Sequence, residues 1–107
     1  MAIHQLSADD FEEVIKKKGV RLLDVREKYE FEKGYIKGAE LAPSTRFREA
    51  LERLKVKKNQ EVALYCRTGS RSDFLARQMA QDGYKEIYNL EMGIQEWLEF
   101  GKKLKSK

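Results

Sequence analysis

The apolar run Val62-Ala63-Leu64-Tyr65 leads directly into Cys66-Arg67-Thr68-Gly69-Ser70-Arg71-Ser72. A short continuous apolar stretch followed by a glycine-containing turn and a helical pattern reads as a buried strand feeding a helix. That junction constrains the fold, because a strand buried on both faces needs helices to cover it. It also puts the only cysteine of the chain at the end of the strand, beside the backbone N–H groups of a helix N-terminus and between two arginines. Those conditions favour a thiolate.

The rest of the chain repeats the alternation. Ile3 to Leu6 reads as a short strand, and Ser7 as the N-cap of a helix that places Phe11, Val14 and Ile15 on one face before Gly19. Val20 to Val25 is a second strand. Glu27 to Lys33 is a short charged helix with Tyr29 or Phe31 facing inward, ended by Gly34. A turn from Tyr35 leads to a brief strand near Leu41, and Pro43-Ser44-Thr45 opens a helix with Phe47, Leu51 and Leu54 at helical spacing. Glu61 to Cys66 is the central strand. Arg71 to Gln81 is a helix whose inner face is expected to hold Phe74, Leu75, Gln78 and Met79, closed by Gly83. Lys85 to Leu90 is a strand, and Gly93 to Phe100 a helix expected to bury Ile94, Trp97 and Leu98. The expectation is an α/β fold, a mostly parallel central sheet of about five strands with helices on both faces. Ligands of such sheets bind at the carboxyl ends of the strands, where Cys66 lies.

Length and charge limit the alternatives. A chain of 107 residues is expected to form one domain. Folding at that size buries roughly 65% of the unfolded surface. No apolar run nears the length of roughly 20 residues that spans a bilayer. The early Asp9-Asp10 does not suit a secretory signal, so a cytoplasmic location is expected. The net charge of +4 comes from the end of the chain: residues 102–107 hold four lysines and no acids. Of 22 basic residues the remaining 18 balance 18 acidic ones. The expected layout is therefore a domain over 1–101 and a basic, disordered tail over 102–107, with neither nucleic acid nor membrane as a partner. One cysteine excludes an internal disulfide, and one cysteine with one histidine excludes an ordinary structural zinc site. His4 is expected on the surface, remote from Cys66.

Two readings of Cys66 stand side by side on the residues alone. A lone cysteine ending an apolar strand serves often as a small buried hydrophobe. Alternatively, Gly69 lets successive N–H groups curl into an anion-binding nest around the sulfur. Thr68 and Ser70 would then add hydroxyl donors, and Arg67 and Arg71 would add charge for an anionic substrate.

Cys66-Arg67-Thr68-Gly69-Ser70-Arg71-Ser72 resembles the active-site loop of the rhodanese-domain sulfurtransferases. Leu22-Leu23-Asp24-Val25-Arg26-Glu27, Glu30-Phe31 and Gly34 to Ala39 resemble the N-terminal signature of that family. Gly83-Tyr84, Ile87 to Leu90, Gly93-Ile94 and Trp97 resemble its C-terminal signature, so the likeness runs from about Leu6 to Gly101. It implies a single-domain, rhodanese-like enzyme of the thiosulfate sulfurtransferase type. Cys66 would take the outer sulfur of a small anionic donor such as thiosulfate as a persulfide. It would pass that sulfur to cyanide or a thiol, a thioredoxin-like protein among the possible acceptors. Loop amides from Arg67 to Arg71 would stabilise the thiolate and persulfide, and Arg67, Thr68, Gly69, Ser70 and Arg71 would bind the substrate, with Arg67 and Arg71 drawing in the anionic donor. No metal or organic cofactor is implied, and a monomer is expected.

The same cysteine suits a second role, a persulfide carrier that relays sulfur to a protein partner. Relatives of the fold that hydrolyse phosphate esters or reduce arsenate have a loop one residue longer between cysteine and arginine than the four residues separating Cys66 from Arg71. An inactive regulatory domain would not need the cysteine and its arginines. Tyr35 stands where the family usually has histidine, Lys37 where it often has proline, and Met92 where glycine is frequent; these positions are expected to be framework and rim. Asp24 and Arg26 are expected to form a buried structural pair, and Trp97 to lie in the core.

Overall fold

A computed structural model describes residues 2–106, so Met1 and Lys107, the outermost residues of the expected domain and tail, lie outside it. Five strands, β1 (Ala2–Leu6), β2 (Arg21–Asp24), β3 (Glu40–Leu41), β4 (Glu61–Tyr65) and β5 (Glu86–Leu90), form one sheet in the order β1-β5-β4-β2-β3. Every neighbouring pair is parallel. The helices are α1 (Ala8–Ile15), α2 (Lys28–Lys33), α3 (Phe47–Arg53, preceded by a 3₁₀ turn over Ser44–Arg46), α4 (Ser70–Gln81) and α5 (Gly93–Glu99).

Alternation along the strands divides the core in two. Leu22, Ala63, Tyr65 and Leu90 face α1 and α5, where they meet Ala8, Phe11, Ile94 and Trp97. Leu23, Val25, Val62, Leu64, Cys66 and Ile87 face α3 and α4, against Phe47, Ala50, Leu75, Ala76, Met79 and Ala80. The central strand is the buried run read from the sequence.

Local signals account for the helix ends. Ser7 caps α1, and its hydroxyl accepts from the Asp10 N–H at 3.3 Å. Glu27 and Glu30 form a capping box at the start of α2. Phe31, not Tyr29, turns inward from that helix.

Three expectations need correction. The buried stripe of α4 is Ser72, Leu75, Ala76, Met79 and Ala80, spaced as one helical face. Phe74 is rotated about 100° from Leu75. It is 61% exposed, and Gln78 is also exposed. Helix α5 buries Gly93, Ile94 and Trp97, while Leu98 turns outward and is 50% exposed.

The third correction concerns the basic tail. Lys102 bridges Asp9 and Glu12 of α1, each at 2.8 Å. The Trp97 indole N–H donates to the Lys103 carbonyl at 3.0 Å, and Leu104 packs onto the α1/α5 core. Tyr35 and Lys105 form an antiparallel bridge with hydrogen bonds of 2.9 and 2.7 Å. Ion pairing and main-chain pairing thus hold 102–105 where charge repulsion alone would let it fray. Tyr35 also stacks on Phe31 with ring centroids 4.3 Å apart, a framework position.

Asp24 and Arg26 do form a buried pair. The Arg26 guanidinium donates to both Asp24 oxygens, at 2.7 Å in the shortest contact, and to the Gly34 carbonyl at 2.6 Å. The Tyr65 hydroxyl donates to Asp24 at 2.6 Å and accepts from the Ile36 N–H at 3.0 Å. Burial, reinforced by the Asp24 charge, pushes the Tyr65 phenol far above its ordinary range. Burial opposes the Arg26 charge, but its bonds to Asp24 outweigh that and leave it raised. The network ties the end of β2 to the start of the segment after α2. No helix among the described residues is long and apolar enough to cross a membrane.

Candidate active site

Helix α4 begins at Ser70, so the N–H groups of its first turn have no carbonyl partner four residues earlier. The Cys66 sulfur fills that role. Its Sγ accepts from the Gly69 N–H at 3.1 Å, the Ser72 N–H at 3.5 Å and the Ser72 hydroxyl at 3.5 Å. Gly69 makes the wrap possible: its φ is +99°, a left-handed conformation that a side chain resists. Cys66 itself is fully buried beneath the loop.

The β5–α5 connection clamps the loop from outside. The Ile94 N–H donates to the Cys66 carbonyl at 2.9 Å, and the Gln95 N–H to the Arg67 carbonyl at 3.1 Å. Two glycines permit the approach. A Cβ on Gly69 would stand 1.8 Å from the Glu91 carbonyl oxygen, and one on Gly93 would stand 2.2 Å from that of Arg67. The close spacing between the two loops leaves no room for a methyl group at either position.

The arginines have different settings. Arg71 donates through both Nη atoms to Glu30, at 3.0 and 3.1 Å. Those bonds hold the Arg71 guanidinium above its usual value, with the Cys66 sulfur a lesser contributor. They hold the Glu30 carboxyl below its usual range, against the opposing effect of partial burial. Arg67 is exposed and has no ion-pair partner among the described residues.

The sequence reading placed sulfur-facing amides from Arg67 to Arg71; the N–H groups that reach Sγ belong to Gly69 and Ser72. Thr68 and Ser70 are exposed, and neither hydroxyl reaches the sulfur among the described contacts. They line a groove of about 350 Å³ on the outer side of the loop, with Gln5, Asp73 and Arg77. Ser72 and Glu30 were missed. The signal for Ser72 was its position in the first turn of the helix; Glu30 lies 41 residues from its arginine, and nothing local links them. His4 stacks on Tyr88 and contacts Glu86 at 2.8 Å, on the opposite face of the sheet from Cys66. Met92 is exposed beside Gly93 at the rim.

A turn that directs main-chain N–H groups at a sulfur, with two arginines in the same loop, has the chemistry to stabilise negative charge there. Comparison with known proteins agrees with the architecture. The chain is 35% identical over 102 residues to the tRNA uridine(34) hydroxylase of Hamiltonella defensa, a match covering 92% of this chain and 29% of that protein. It thus spans about a third of the length of the curated relatives it matches. Among solved structures, a rhodanese-related protein from Thermoplasma volcanium is 28% identical with a TM-score of 0.80, covering 97% of this chain and 99% of that one. A rhodanese-like domain protein from Staphylococcus aureus is 26% identical with a TM-score of 0.82, covering 97% and 98%. The family model of the Rhodanese-like domain matches residues 7–100, and the chain belongs to that family.

Proposed function

We propose that the chain transfers sulfane sulfur through a persulfide on Cys66. The observation that carries this reading is the hold on Sγ by the Gly69 and Ser72 N–H groups and the Ser72 hydroxyl, at the N-terminus of a twelve-residue helix. In the first step the Cys66 thiolate attacks the outer sulfur of a donor such as thiosulfate. The new S–S bond forms as the donor's own S–S bond breaks, and sulfite leaves with the electron pair. In the second step an acceptor such as cyanide attacks the outer sulfur of the persulfide, and the Cys66 thiolate departs. Splitting the transfer in two is covalent catalysis. The N–H groups that hold the thiolate would also hold the persulfide anion, Arg67 would attract the donor, and Arg71 would add what its pairing with Glu30 leaves.

Four residues between Cys66 and Arg71 suit sulfur better than a tetrahedral oxyanion. The test is thiocyanate formation from thiosulfate and cyanide. Wild type is expected to turn over and Cys66→Ala to be inactive. Phosphate-ester hydrolysis without thiocyanate would overturn the reading.

A second reading is favoured by relatives named tRNA uridine(34) hydroxylase, which match over nearly the whole of this chain. On that reading the same cysteine serves tRNA modification, and the expectation of no nucleic-acid partner fails. Cys66-dependent hydroxylation of uridine in tRNA with dioxygen supplied as oxidant, and no sulfur transfer, would favour it over the first.

A further inference from the structure

Two arginines flank the sulfur loop, yet the structure sets them in unequal electrostatic positions. Glu30 takes both Nη atoms of Arg71, and its side chain is only 16% exposed, so the pair is partly shielded from solvent. The same carboxylate accepts the Glu27 N–H at 3.0 Å, which fixes it to the start of α2 independently of Arg71. Glu27 adds a second carboxylate within electrostatic reach of Arg71, itself held by the Ser44 and Thr45 hydroxyls. Arg67 is then the one loop arginine without an ion-pair partner among the described residues. On the sulfur-transfer reading Cys66 reacts as a thiolate, and that charge offsets one of the two arginines. A doubly charged donor therefore enters a site whose second positive charge is spoken for.

We propose that Glu30 is a specificity-determining residue that, by pairing Arg71, biases the sulfur loop toward singly charged sulfane donors over doubly charged ones. It acts through Arg71 and is a positioning residue, and the proposal rests on the sulfur-transfer reading of Cys66. The chemistry is the same for both donor classes. Cys66 displaces sulfite from thiosulfate, a dianion, or an organic sulfinate from a thiosulfonate, a monoanion. In each case one S–S bond forms and one breaks, the leaving group takes the electron pair, and no oxidant or reductant is consumed. The donors differ in charge and in leaving group, and comparing each variant's donor ratio with that of wild type cancels the leaving-group difference.

The experiment compares kcat/KM for thiosulfate and for methanethiosulfonate, with cyanide as the acceptor, in wild type, Glu30→Gln and Glu30→Asp. Glutamine removes the charge and keeps one acceptor oxygen, enough for Arg71 Nη1 and the Glu27 N–H, while the bond from Arg71 Nη2 is lost. In Glu30→Gln the thiosulfate-to-thiosulfonate ratio is expected to rise by about two- to fivefold, the scale of a partly exposed ion pair. The rise should come chiefly through KM. It should also shrink at about 0.5 M salt, where the Debye length falls to a few ångströms. Glu30→Asp keeps the charge and should restore the wild-type ratio. A purely structural role would depress both donors alike, so an unchanged ratio in Glu30→Gln overturns the proposal. A raised ratio that persists undiminished in high salt overturns it too. If wild type accepts sulfur from neither donor, the sulfur-transfer reading itself has failed and the proposal falls with it.

Discussion

Gly93→Ala and Gly101→Ala form a matched pair that isolates the contact between the sulfur loop and the β5–α5 connection. The two glycines have nearly the same left-handed backbone, with φ of +73° and +77°. Each alanine therefore carries the same conformational penalty, about 1–2 kcal/mol. Their surroundings differ. A Cβ at Gly101 meets nothing within 4 Å, whereas at Gly93 it lies 2.2 Å from the Arg67 oxygen, 2.5 Å from the Arg67 carbon and 2.6 Å from the Thr68 nitrogen. All three are backbone atoms, so relief requires moving the loop by about 1 Å, well beyond what a side-chain rotation supplies. That shift would strain the Ile94 and Gln95 hydrogen bonds and carry Gly69 away from Sγ. We expect Gly101→Ala to lose about 1–2 kcal/mol and keep its sulfur transfer per folded molecule. Gly93→Ala should lose a further amount of about 1–3 kcal/mol from overpacking, and on the order of 100-fold in turnover from misplaced loop geometry. Urea denaturation and the thiocyanate assay measure both quantities. Equal stability losses in the two variants, with Gly93→Ala still fully active, would refute the claim that this close approach positions the loop.

Further outcomes follow from the same geometry. Ser72→Ala removes the hydroxyl whose single proton lies between two acceptors, Sγ at 3.5 Å and the Gly69 carbonyl at 3.2 Å. Stopped-flow sulfur loading should then slow several-fold, with about 1 kcal/mol of stability lost. Glu30 has a folded pKa below its ordinary 4.5, so its pairing stabilises the protein above that pH and the contribution is lost as pH falls through the folded value. Urea midpoints should therefore favour wild type over Glu30→Gln by about 1 kcal/mol near neutrality, the exposure of Arg71 discounted, and the gap should close in acid. Ending the chain after Gly101 removes the Lys102 ion pairs, the Trp97–Lys103 hydrogen bond and the Tyr35–Lys105 bridge. A loss of about 2 kcal/mol should appear as a fall in Tm of roughly 10 °C, with sulfur transfer intact at low temperature.

Local patterns made the strands and helices legible. The apolar run before Cys66, the Ser7 cap and the glycines after α2 and α4 each act within a few residues of where they are read. Which neighbouring apolar residue turns inward was less legible, because it depends on where a helix starts relative to the sheet. A single step of about 100° separates Phe74 from Leu75, and another separates Leu98 from Trp97. The docked segment 102–105 was not legible, since its lysines read as solvated until Asp9, Glu12 and Tyr35 are brought beside them. At the candidate site, Cys66 and the need for Gly69 could be read directly. The partnership of Glu30 with Arg71 depends on the fold bringing α2 to the start of α4.

The most direct test is the intact mass of the protein after incubation with a sulfane donor and removal of excess reagent. Wild type is expected to gain the mass of one sulfur atom, located on Cys66 by peptide mapping and released by cyanide, while Cys66→Ser gains none. A wild-type protein that stays at its original mass with every donor, or a Cys66→Ser variant that gains sulfur equally, would contradict the assignment of Cys66 as the sulfur carrier.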